Sequence, residues 1–281
     1  MKKLVLFTFA LTLMFSVNAQ IETPQPSPSS KIEQKIGLTD VTLEYSRPSA
    51  RGREVFGSLI PYGTMWRTGA NKNTMISFSD DVVVDGQTLK AGSYALFVNP
   101  TEKSWDVVFY SDTNNWGAPQ KWDDSKVAAK TTVDVMKTPM PVETFTITFD
   151  NLTSASAELS FAWENTKANV AIEVPTDAKV SKNIEKIMAG PSANDYYAAA
   201  VYNLSEDKDL NKAKEWMDKA MSMVKEPAFW QLRQQSLLYA KMGDKKNAIA
   251  TAKKSLEASE KAGNADYVKM NKDSLKEWGA K

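Results

Sequence analysis

The sequence predicts an α+β chain of two domains, an antiparallel β-sandwich followed by an all-α array of helical hairpins. Three observations carry this reading. Between Lys31 and Val174 apolar residues recur mainly at every second position, and turn residues punctuate them at intervals of about 8–12 residues, as in sandwiches and barrels. Beyond Pro175 the spacing changes to the i, i+3, i+4, i+7 pattern of amphipathic helices. A length of 281 residues, 42% of them hydrophobic and 25% charged, supplies two ordinary cores.

Taken in order, residues 1–19 read as a secretory leader. Lys2 and Lys3 precede the apolar run Leu4 to Phe15, and Val17-Asn18-Ala19 fits cleavage before Gln20. That run is too short to span a bilayer, and no later stretch of the mature chain is apolar enough to do so. The expected destination is the periplasm or the exterior. Residues 20–30, with the run TPQPSPSS, read as an extended and mobile linker.

The β domain is expected over 31–175. Val41, Leu43 and Tyr45 alternate with polar residues and make a half-buried strand. Ile76 and Phe78 begin another, and Val82 to Val84 runs into Asp85-Gly86, a hairpin turn signal. Tyr94 to Val98 and Trp105 to Tyr110 read as neighbouring strands, and Val127 to Val135 as a third. Phe145, Ile147 and Phe149 pair with Leu159, Phe161 and Trp163 around Asp150-Asn151. Val170, Ile172 and Val174 form the last strand.

A connecting helix is expected within 176–190, broken by Gly190-Pro191, and a helical domain over 191–281. Ser192 to Asp195 has the form of a capping box opening a helix. Asp209, Ala213, Ala220 and Met221 recur 35 residues later as Asp244, Ala248, Ser255 and Leu256, and Tyr202 recurs as Tyr239. Tyr239, then Gly243-Asp244, then Ala248 resembles the tetratricopeptide repeat. Leu232, Ala252 and Met217 depart from its large aromatic positions, and Glu260 from its closing proline. About two repeats and a terminal helix, Ala265 to Trp278, fit. The repeats offer a concave surface for a protein or peptide partner, or else a stabilising cap on the sandwich, since two repeats offer little groove.

The β domain has a resemblance of its own. The stretch PYGTMWRTGANKNTMISFS, Pro61 to Ser79, is followed by AGSYALFVNP and SWDVVFYSDTNNWGAP. With the core motif Trp66-Arg67-Thr68-Gly69-Ala70-Asn71, it resembles domain of unknown function 2911, over roughly Lys31 to Val174. Lys121-Trp122 departs from the pattern, where a tyrosine is expected. The resemblance implies an exported bacterial protein and brings no activity with it.

Composition excludes much. The chain has no cysteine and no histidine. No disulfide can hold an exported form together. Ser-His-Asp and Cys-His nucleophile systems and the usual zinc and copper ligand sets are ruled out. No metal site or cofactor is implied. Removal of Lys2 and Lys3 takes 35 basic residues to 33, against 34 acidic ones, so no bulk field favours nucleic acid. Carboxylate catalysis on a glycan is the alternative reading, with Asp80-Asp81, Asp106, Asp123-Asp124 and Glu143 as its raw material. Asp112 to Asn115 reads as a tight turn rather than a calcium loop.

One stretch stands out. Ser46 to Asn73 holds Arg47, Arg51, Arg53 and Arg67, and the fifth arginine of the chain is Arg233. With Tyr62, Trp66 and Asn71, and with Trp116 from later in the chain, these residues are candidates for binding an anionic small molecule or glycan. Guanidiniums give bidentate contacts and aromatics a stacking face. The same residues could instead staple a long crossover loop, an arginine stacked on Trp66 and paired to Asp80 or Asp81. The function expected is that of a non-enzymatic envelope protein that binds ligand or partner.

Overall fold

A computed structural model describes residues 23–188 and 190–280. The expected leader and the first residues of the linker lie outside the described residues. The chain divides between Thr176 and Asp177 into two compact units.

Among the described residues the first unit contains ten strands: β1 (Ser29–Ile36), β2 (Thr39–Ser46), β3 (Thr74–Phe78), β4 (Val82–Val84), β5 (Gln87–Leu89), β6 (Gly92–Pro100), β7 (Ser104–Tyr110), β8 (Val127–Asp134), β9 (Met136–Asp150) and β10 (Ser156–Glu173). They form two antiparallel sheets, ordered β1-β2-β3-β6-β7-β8 and β5-β4-β10-β9. Alternation does what the sequence predicts in β2, where Val41, Leu43 and Tyr45 are buried. The Asp85-Gly86 turn has φ of 46° and 78° at its two central residues, the type I′ requirement. Gln87 ties β5 to β8, since its Nε2 donates to the Lys130 carbonyl at 2.5 Å.

β10 cannot run straight. Eighteen extended residues span roughly 60 Å, yet the Val174 N–H donates to the Ala155 carbonyl at 2.8 Å. Asn169 Nδ2 likewise donates to Glu158 Oε2 at 2.6 Å. The chain therefore reverses at Glu164, where φ is 53°, and its two halves lie side by side. They are the two strands read separately in the sequence. β4 pairs with the second half and β9 with the first, while the leading end of β9, Met136 and Lys137, pairs with Lys167 and Thr166 just past the reversal. The exposed leading part of β9 carries Pro139 and Pro141, which remove N–H donors that another strand would need.

Two differences from the sequence reading bear on the site. β1 begins at Ser29, so the end of the expected linker belongs to the sheet. Residues Pro26 to Pro28 are also held, because their carbonyls accept hydrogen bonds from Arg51, Asn71 and Arg47. Second, the long β2–β3 connection is partly sheet. Ser49 bridges Thr144 of β9, and Trp66 bridges Val98 of β6. Through these bridges the connection drops Phe56 and Trp66 into the core between the sheets. Trp66 stacks on Trp163 at 5.8 Å and 24°, and Phe56 lies 4.8 Å from Trp105.

The second unit contains six helices among the described residues: α1 (Thr176–Ile187), α2 (Ala193–Ser205), α3 (Leu210–Ser222), α4 (Phe229–Lys241), α5 (Lys245–Lys261) and α6 (Ala265–Glu277). Ser192 caps α2 in a capping box with Asp195, as its sequence suggests. Asp209 and Asp244, which recur at the repeat interval, cap α3 and α5 through the same side-chain bond to the third helical N–H. α2 pairs with α3 and α4 with α5 as hairpins, and α6 packs on α5. Small residues at Ala213, Ala220, Ala248 and Ala252 are buried at the helix contacts, which lets the backbones approach closely.

Tyr197 of α2 is packed among these helices, and burial pushes its hydroxyl from 10.0 up to about 12. An acid whose folded pKa is raised stays protonated while the unfolded chain ionises. The helical unit is therefore expected to lose stability as pH rises from about 10 toward 12. Urea midpoints measured between pH 9 and 12 should fall for the native chain. They should fall less for Tyr197→Phe, the remainder coming from Tyr202 and Tyr239, which shift the same way.

Candidate functional site

Arg47 is a staple. Its Nε donates to the Phe145 carbonyl at 3.1 Å and its Nη2 to Thr146 Oγ1 at 2.7 Å, both on β9. Asn71 is another, with Nδ2 donating to the Ser27 carbonyl and to Ser46 Oγ, each at 3.2 Å. Trp66 is 6% exposed, so most of its ring serves the core and its Nε1 donates to the Gly69 carbonyl at 3.0 Å. The expectation of an arginine stacked on Trp66 and paired to Asp80 or Asp81 is corrected. Asp81 pairs with Lys90 at 2.8 Å, and Asp80 accepts from Thr39 Oγ1 at 2.9 Å. None of the four arginines makes an ion pair among the described residues.

The other three converge. Arg51, Arg53 and Arg67 line one open cleft of about 370 Å³. Leu59, Ile60 and Pro48 give it an apolar wall, Pro26 and Ser27 close one side, and the Trp66 and Trp163 rings reach its floor. No acid lines it. Arg51 Nη2 is held by the Pro26 carbonyl at 2.9 Å. Arg53 Nε and Nη2 are held by the carbonyls of Ala50 and Ser49, at 2.9 and 2.7 Å. Carbonyls position these guanidiniums without neutralising them, and each keeps donors free because a guanidinium has five N–H groups. Arg67 Nε is buried and has no hydrogen-bond partner among the described residues, an arrangement that costs free energy unless something accepts from it.

The backbone is tuned to this shape. Arg51, Thr68 and Asn71 all have positive φ, at 53°, 56° and 58°. Thr68 is the telling case: a fully buried, β-branched residue in a region such side chains avoid. Strain of roughly 1–3 kcal/mol persists only where its surroundings over-determine it. Here they do so through Thr74, whose Oγ1 donates to the Thr68 carbonyl at 2.5 Å.

Tyr62 and Trp116 lie outside the cleft. Tyr62 is 41% exposed and packs its ring over Gly57, and burial raises its hydroxyl pKa. Trp116 is 77% exposed. It follows Asn115, whose N–H donates to Asn73 Oδ1 at 2.8 Å and whose carbonyl accepts from the Asn73 N–H at 2.9 Å. That pair was not legible in the sequence, and neither was a second cleft beside it. The second cleft measures about 380 Å³ and is lined by Lys31, Ser46, Lys72 and Asn73 among others.

The carboxylates proposed for catalysis all have structural work. The Asp106 carboxyl is pushed up by burial, but hydrogen bonds from Lys130 and Thr132 outweigh this and hold it low. Asp123 caps the short 3₁₀ turn Asp124–Lys126, and Asp124 accepts from Trp122 Nε1 at 3.0 Å. Glu143 Oε1 accepts from the Arg51 backbone N–H at 2.8 Å. Asp112 makes the expected tight turn, its Oδ1 accepting from the Asn114 N–H. Trp105 and Trp163 are core residues, while Trp122 packs on Tyr110 and Phe97 over the outer side of the six-stranded sheet.

A family model described as a protein of unknown function (DUF2911) matches residues 27–172. The match takes in β1 through nearly all of β10 and, apart from Pro26, the lining of both clefts, and is more than half of the 281 residues. No curated protein matches the chain, and no solved structure does. The chain belongs to the DUF2911 family of proteins of unknown function.

Proposed function

We propose that this is an exported, non-enzymatic binding protein of the bacterial envelope, whose β unit receives an anionic ligand in the Arg51/Arg53/Arg67 cleft. One observation carries the reading: three guanidiniums surround a single cleft that no acid among the described residues lines, and one of them keeps a buried N–H without an acceptor among those residues. A carboxylate or another oxyanion would supply the missing acceptors and the missing charge. The apolar wall suits a ligand with a body beyond its charged group. The leader-like residues 1–19 support export. The helical unit, read as a short tetratricopeptide-like array, is proposed to contact a protein or peptide partner.

Titration calorimetry with glucuronate and with inorganic phosphate tests the cleft. Arg51→Ala combined with Arg67→Ala should weaken binding by about tenfold or more, since hydrogen bonds to charged groups contribute about 1.5–3 kcal/mol each. Arg47→Ala should leave affinity unchanged while lowering stability by roughly 1–2 kcal/mol through two lost bonds to β9. With no histidine in the chain, glucuronate affinity should be flat between pH 5.5 and 9. A folded double variant that binds as tightly as the native chain would sink the assignment.

A further inference from the structure

The second cleft lies next to the first. Gly69 and Ala70 line the arginine cleft, and Lys72 and Asn73 line its neighbour. The ridge 69–73, roughly 10 Å of chain, runs between them. Asn71 pins the ridge to Ser46, which itself lines the second cleft. That cleft carries serine hydroxyls, Lys31 and Lys72 against a single acid, Glu44. Lys31 is paired with Glu33, whereas Lys72 makes no ion pair among the described residues. Asn73 then leads, through its backbone and side-chain bonds to Asn115, to Trp116, the most exposed large apolar side chain described.

We infer that these features form one groove for an acidic oligosaccharide, running from the arginine cleft over the 69–73 ridge and along the Lys72 cleft toward Trp116. The inference rests on the arginine cleft being an anion site. It adds that the ligand is a chain of acidic sugars rather than a single anion. Guanidiniums and Lys72 meet carboxylates, serine and asparagine groups meet ring hydroxyls, and an exposed indole offers a ring face. A peptide added as a strand fits poorly. A strand is added at a sheet edge through backbone bonds, whereas the second cleft lies on the outward face of β1, β2 and β3, where the side chains of Lys31, Glu44 and Met75 align across the strands. Contacts joined in one ligand reinforce one another through effective concentration.

The test is titration of the full chain with oligogalacturonates of one to six units. Affinity should rise by about tenfold or more from monomer to hexamer. Lys72→Ala and Trp116→Ala should each lower hexamer affinity by about threefold or more and leave monomer affinity unchanged. Arg67→Ala should lower both. Trp116 and Lys72 are exposed, so their variants should fold, which circular dichroism confirms independently. Equal monomer and hexamer affinities, with both variants neutral, would overturn the groove and leave the anion site standing. No binding of either oligomer by the native chain would overturn the groove, and glucuronate titration then decides the arginine cleft separately. Equally tight binding of polyglutamate or of single-stranded DNA would overturn the sugar assignment.

Discussion

Replacing Trp66 with alanine is expected to cost about 3–5 kcal/mol, the range for emptying a large aromatic site in a core. Three rings lose a partner at once. Phe145 lies 5.0 Å from the indole, Trp163 5.8 Å and Phe56 6.0 Å. The Gly69 carbonyl also loses the Nε1–H donor. Domains of this kind are stable by about 5–15 kcal/mol, so Trp66→Ala should move the urea midpoint far to the left or leave the β unit unfolded. Trp66→Phe keeps much of the buried area and the Val98 backbone bridge, and should lose less than half as much. Far-ultraviolet circular dichroism should monitor both, because removing one of eight tryptophans alters the fluorescence baseline. A loss below about 1 kcal/mol in Trp66→Ala would mean that the loop is not seated in the core.

The same segment shows what a sequence can and cannot reveal. Alternation identified β2, and the Asp-Gly pair identified the β4–β5 hairpin, because both signals lie within a few residues. It also placed Trp163 inside with Leu159 and Phe161. The capping residues Ser192, Asp209 and Asp244 are equally local. The loop has no such period, and its bonds reach partners about a hundred residues away, as when Arg47 meets Phe145 and Thr146. Candidate residues were recognisable as a cluster but not as separate roles. Trp66 sits in an extended bridge with Val98, where successive side chains face opposite ways. Hence Trp66 and Thr68 are buried while Arg67 lines the cleft. The Asn73–Asn115 pair joins two loops with no sequence signal in common, so the second cleft could be seen only in three dimensions.

Gly69→Ala should be the most damaging single methyl in the site. At φ of 154° an L-residue is strained from the outset. Its Cβ would also lie 2.9 Å from the Ser46 carbonyl oxygen and 3.1 Å from Thr74 Oγ1. Neither neighbour can yield cheaply. Ser46 belongs to β2, and its carbonyl accepts from the Ala70 N–H. Thr74 Oγ1 is committed to the Thr68 carbonyl. Strain and overlap together are expected to cost about 2–4 kcal/mol, and moving the ridge should weaken anion binding as well. Gly52→Ala separates the two causes. Gly52 has φ of 71° with nothing near its Cβ position, so that change should cost only the conformational penalty of about 1–2 kcal/mol. Equal losses in the two variants would show that the contact with Ser46 does not constrain the loop. A clear excess for Gly69→Ala, accompanied by weaker glucuronate binding, would show that the Arg67–Asn71 turn holds the guanidinium where an anion can reach it.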